Sequence, residues 1–153
     1  MLRRALAAGP YRSTVFTESM GPLARAGDVF VLEAPGRRRV RFGDVVAAAA
    51  GARAVIHRVV GRRGGLLILK GDASPRADVG VRRADVVGLA RALEKRGGRV
   101  VRFDTARGRL VGAALAALSR LEGAFTDAFY PSPPPVRKLF YLSSRALCLF
   151  LGG

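Results

Sequence analysis

Residues 54–70 read AVIHRVVGRRGGLLILK, and no other stretch restricts the fold as tightly. AVIHRVVG is rich in β-branched residues and alternates. RRGG at 62–65 is a turn, and LLILK is a return strand. A hairpin alone is barely stable in water, so the chain must supply further strands to cover it. It offers several. DVFVLEAP (28–35) is an apolar run closed by a Pro-Gly turn, and VVAAAA follows the Gly43-Asp44 punctuation. DVVGLARALEK fits strand or helix, but RGG and RVVRFD after it favour a second hairpin. GDASPRAD (71–78) is a loop by its Gly, Asp, Ser and Pro content. Residues 1–104 are therefore expected to form a compact, β-rich domain.

The periodicity changes after Asp104. Val111, Leu115, Leu118, Leu121, Phe125 and Phe129 recur at three- and four-residue steps, which predicts an amphipathic helix over 109–129. PSPPP (131–135) stops it and stiffens the chain. The apolar tail VRKLFYLSSRALCLFLGG is interrupted by Arg145 and is short for a membrane span. It is expected to pack on the domain as a helix, or to lie on a membrane or partner surface. Residues 105–153 thus read as a C-terminal extension.

Composition narrows the function classes. Half of the 153 residues are hydrophobic, which excludes a disordered polyelectrolyte. The N-terminal MLRRALAAGP has no apolar centre of the kind an export signal needs. A peripheral membrane or cytoplasmic location is expected. The formal charge of +16 comes from 27 basic residues, 24 of them arginine, against 11 acidic ones. That surplus favours contact with an anionic surface such as lipid head groups. Two arginine clusters, Arg37–Arg41 and Arg91–Arg109, suggest a nucleic-acid module, but no stacking motif or tryptophan accompanies them. A single cysteine, Cys148, and a single histidine, His57, exclude an internal disulfide framework and multi-Cys or multi-His metal sites. No cofactor or metal is expected.

The candidate chemistry centres on His57. Strand alternation places Val55, His57 and Val59 on one face, and an imidazole on an apolar face suits a general base near neutral pH. Ser19, in TESMGP, follows the apolar TVF and precedes a Pro-containing turn, so its hydroxyl projects from a strand end. Asp72 and Asp78 lie in the loop after the hairpin, and either is within reach of the imidazole. Together these groups fit a nucleophile, a base and an orienting acid. Asp28 and Asp44 read as turn hydrogen-bonders, and Arg58 as a structural residue or a carboxylate's partner.

The local words occur in a specific order: SMGP, LARAGD, FGDVV, IHRVVG, LKGDASPRAD and DVVGLA, over about residues 14–103. This series resembles the type I signal peptidase superfamily, which includes the self-cleaving repressors. A histidine before Arg-Val, where many relatives carry lysine, resembles the Ser-His-Asp branch of the endoplasmic reticulum and archaea. Lys70-Gly71-Asp72 followed by Asp78 keeps that branch's six-residue spacing.

The resemblance implies a coiled β-sheet peptidase fold with the helices as an extension. It implies a serine endopeptidase that cleaves extended signal or leader peptides after small residues. Ser19 would be the nucleophile and His57 the base. Asp78 would orient His57 with Asp72 in support, the two roles being exchangeable. The Ser19 N–H and Thr17 would serve the oxyanion, and Met20 and Pro22 would shape the turn and the substrate groove. The chain departs from the family in its Thr17-Glu18 flank and in Ala73 after Lys-Gly-Asp, and no N-terminal anchor is expected from MLRRALAAGP. An inert, membrane-associated scaffold of the same fold is the alternative, and it expects Ser19 and His57 to lie far apart.

Overall fold

A computed structural model describes residues 2–50, 53–78, 80–128 and 134–151. Helix α1 (Leu2–Ala8) opens the chain. Strands β1 (Tyr11–Thr14), β2 (Val29–Glu33), β3 (Val45–Ala50), β4 (Arg53–Arg63), β5 (Leu66–Lys70), β6 (Val86–Glu94) and β7 (Val100–Arg102) follow. Helices α2 (Ala106–Ala128) and α3 (Pro134–Phe150) close it. The molecule is thus mainly an antiparallel β-sheet with C-terminal helices.

The strands pair in the order β1-β2-β6-β3-β4-β5, with β7 joined to β6. β6 organises the sheet. Its residues 89–94 pair with β2, its first half pairs with β3, and Ala92–Glu94 pair with β7. Ladder irregularities between Val31 and Leu32, Ala47 and Ala48, and Val59 and Gly61 bend the strands locally. The β4–β5 hairpin turns through Gly64 and Gly65, at φ +55° and +79°. Two successive positive φ values suit glycine, which has no Cβ to clash.

The sheet supports two apolar clusters. One gathers Met20, Leu23, Phe30, Leu32, Leu93 and Leu115, with Leu147 and Cys148 of α3 packed against it. The other holds Val46, Val59, Leu67, Leu69, Val86 and Leu89 between the hairpin and β6. The tail forms a helix with Leu147 and Cys148 facing the domain, as one of the two expectations had it.

The helix expected over 109–129 begins three residues earlier, where Thr105 Oγ1 accepts the Gly108 N–H. Its buried face is Val111, Gly112, Leu115, Ala116 and Ser119. Leu121, reckoned to the apolar stripe from spacing, is 63% exposed. The helix is turned so that small and polar residues, not Leu121, meet β4 and β5. Phe129 and Pro131–Pro133 lie outside the described residues, and Pro134 and Pro135 begin α3.

Candidate active site

Ser19 sits just past the β1 segment, in a tight turn. The Gly21 N–H donates to Glu18 O (3.0 Å) and the Ala24 N–H to Met20 O (2.9 Å). Met20, Leu23 and Ala24 are buried in the first apolar cluster, so the turn is anchored from beneath while the Ser19 side chain stays half-buried. The loop after β5 ties to the same turn, because the Ala73 N–H donates to Ser19 O (2.9 Å). The Asp78 N–H donates back to Leu69 O (2.8 Å), which holds the far end of that loop against the hairpin.

These backbone ties bring three side chains into line. Ser19 Oγ lies 3.3 Å from His57 Nε2. On the other side of the ring, His57 Nδ1 pairs with Asp78 Oδ2. With the ring proton on Nδ1 and donated to Asp78, Nε2 is left as an acceptor for the Ser19 hydroxyl. Thr17 Oγ1 lies 3.1 Å from Ser19 Oγ, on its exposed side. No acceptor among the described residues takes the Ser19 backbone N–H.

Gly71 makes the convergence possible. A Cβ there would lie 2.5 Å from Ser19 O and 3.2 Å from His57 Nε2. Any side chain at this position would push the loop off the site, a requirement that its place in the Lys-Gly-Asp word does not by itself reveal.

The other expected residues separate from this line. Asp72 does not reach His57. It is buried against Arg58, which donates from Nε to Oδ1 (2.7 Å) and from NH2 to Oδ2 (2.6 Å). Arg58 also donates to Gly43 O (2.9 Å). Burial works against the Arg58 charge, but the Asp72 carboxylate outweighs it and raises the guanidinium pKa. Adjacent strand residues point to opposite faces, so the neighbour of His57 necessarily faces away from Ser19.

Lys70 is directed to α2, donating to Ser119 Oγ and Glu122 Oε2 (2.9 Å each). The spacing gave no sign of those two partners. Asp28 and Asp44 accept the backbone N–H groups of Arg25 (2.9 Å) and Arg41 (2.8 Å), the turn roles expected of them. Burial raises the Asp28 pKa, but the Arg25 N–H, Lys95 and the Arg96 N–H bring it below the usual carboxylate value.

A cleft of about 460 Å³ opens onto Ser19 and His57. Its walls are residues 13–17 on one side and 54–57 on the other, with Met20 and Phe30 between. Pro22 lines a different cavity. β1 pairs only with β2, and β5 pairs with β4 only from Arg58 onward. Two strand edges without a described partner therefore border the cleft. Phe16, 84% exposed, lines the cleft two residues past the end of β1.

Among the described residues no cluster of acidic, histidine or cysteine side chains is arranged to hold a metal ion. Comparison with known protein families, with curated proteins and with solved structures found no match to this chain.

Proposed function

We propose that the chain is a serine endopeptidase of the signal peptidase type, with Ser19 as nucleophile, His57 as base and Asp78 as the acid that orients it. The observation that carries this reading is the continuous line from Ser19 Oγ through both ring nitrogens of His57 to Asp78. The inert-scaffold alternative expects a separation far beyond hydrogen-bond reach, and 3.3 Å speaks against it. That spacing is slightly long, as is common before substrate tightens a site.

The proposed chemistry uses the three side chains in turn. Ser19 Oγ attacks the scissile carbonyl carbon while its proton passes to His57 Nε2. Asp78 stabilises the imidazolium that forms. The negative oxygen of the tetrahedral intermediate is met by the Ser19 N–H, with Thr17 Oγ1 as a second donor. His57 then protonates the departing amine, leaving an acyl-enzyme on Ser19. A water that gives its proton to His57 hydrolyses this ester. An extended peptide suits the cleft because both bordering strand edges carry backbone groups able to bind it as an added strand.

The test is cleavage of a leader-peptide library with small residues before the scissile bond, using wild type, Ser19→Ala and His57→Ala. Wild-type cleavage lost in both variants is expected. No cleavage by wild type, or equal turnover by all three proteins, overturns the proposal.

A further inference from the structure

A second cavity, about 570 Å³, lies apart from the cleft at Ser19. It lies between α3 and the turns around residues 22–28 and 95–101. Arg25, Lys95, Arg96, Arg99 and Arg145 line it, with Asp28 as the single carboxylate. Asp28 is already engaged by Lys95 Nζ (3.0 Å) and by the N–H groups of Arg25 and Arg96. Among the described residues the four guanidinium groups have no carboxylate within ion-pair distance. Burial in this wall pushes the Cys148 thiol up to about 11, so it adds no negative charge near neutral pH.

The rim of this cavity continues into an apolar surface. Leu149 lines the cavity and is exposed, and it belongs to a stripe with Leu139, Leu142, Ala146 and Phe150. These positions share one face of a helix at 100° per residue. Lys138 and Arg145, seven residues apart, border it on one side, and α3 contains no acidic residue. The opposite face, with Ser144, Leu147 and Cys148, is turned to the domain. Among the described residues no helix is long and apolar enough to cross a membrane.

We propose that α3 lies flat on a bilayer containing acidic phospholipid, its leucine stripe in the acyl boundary and the arginine-lined cavity on the lipid phosphates. An apolar face bordered by cations is the pattern of an interfacial helix, and the cavity adds, where the stripe ends, four guanidinium groups with no carboxylate partner among the described residues. Nucleic acid would satisfy the cations but not the leucine stripe. A second copy would cover the stripe but would bring the same positive charge against itself. This inference does not depend on the hydrolase reading, because its test reads binding and not cleavage.

The test is flotation of the full chain with phosphatidylcholine vesicles made with and without phosphatidylglycerol. Binding is expected only with the acidic lipid. Arg96→Gln with Arg99→Gln should lower the partition coefficient roughly thirtyfold, at about fivefold per cation near an anionic surface. Leu149→Asp with Phe150→Asp should abolish binding with the thermal transition unchanged, since both side chains are exposed. Arg37→Gln with Arg39→Gln removes the same charge elsewhere and should cost far less. Equal loss in that control would mean diffuse attraction and would overturn the proposal. So would equal binding to both vesicles, no binding to either, release by soluble glycerol phosphate, or a dimer that Leu149→Asp dissociates.

Discussion

His57 and Arg58 are neighbours on β4, and each meets an aspartate from the same loop, yet the two pairs have opposite characters. His57 and Asp78 are 12% and 35% exposed and stand beside a hydroxyl. Arg58 and Asp72 are 1% and 3% exposed, joined by two hydrogen bonds with a third from Arg58 to Gly43 O. One strand thus presents an exchangeable proton on one face and a fixed charge on the other. The buried pair locks the loop to the hairpin, and this fixes where Asp78 meets the ring. The two aspartates share a residue type and a loop, and they differ in burial and in the partner each meets.

Substitutions should separate the two faces. On the open side, Ser19→Ala should lower kcat/KM by about 10⁶-fold, the scale of losing a nucleophile, with unfolding unchanged. Asp78→Asn should cost about 10⁴-fold in kcat by turning the ring to the wrong tautomer, while denaturant titration moves by less than about 1 kcal/mol. On the closed side the order reverses. Asp72→Ala should lower the unfolding free energy by about 3–5 kcal/mol, because it leaves a buried guanidinium unpaired. If Asp72→Ala instead left stability intact and removed turnover, the division between the faces would collapse.

Thr17→Ala sharpens the comparison at smaller cost. A lost oxyanion donor is worth about 10²–10³-fold in kcat, with KM little affected. A change in KM alone would assign Thr17 to binding.

The smallest effect concerns a third acid. Asp104 accepts hydrogen bonds from Arg102, and these, with the nearby charges of Arg102 and Arg91, hold its carboxyl down to about 2 against the opposing pull of burial. A lowered folded-state pKa stabilises the protein above the unfolded value. That contribution should fade as pH falls from about 4 towards about 2. Asp104→Asn should flatten that part of the acid-unfolding curve by lowering stability modestly in the neutral range, with little change below about pH 2.

Local patterning made much of the sheet legible. The 54–70 hairpin, the strand after Gly43-Asp44 and the 86–102 hairpin all show β-branched runs bounded by glycine turns. β1 did not, because Tyr11–Thr14 is a mostly exposed edge strand with no apolar alternation to mark it. Helix α1 hid behind an N-terminal stretch that could be tested only as an export signal. The ordered words around Ser19, His57 and the 71–78 loop pointed to residues that the fold places together. They did not distinguish Asp72 from Asp78, since that choice depends on which face of β4 each loop position reaches. The partners of Lys70 and the arginine-lined cavity come from segments 50 or more residues apart in places, beyond what spacing reveals.

The most direct measurement is an acid-quenched reaction with an alanine-terminated peptide ester, read by mass spectrometry of the fragment containing Ser19. The account predicts an acyl adduct on Ser19 in the wild type and none in Ser19→Ala or His57→Ala, with ester turnover falling in both. Ester hydrolysis that survives unchanged in Ser19→Ala, or an adduct formed equally without the imidazole, would contradict it.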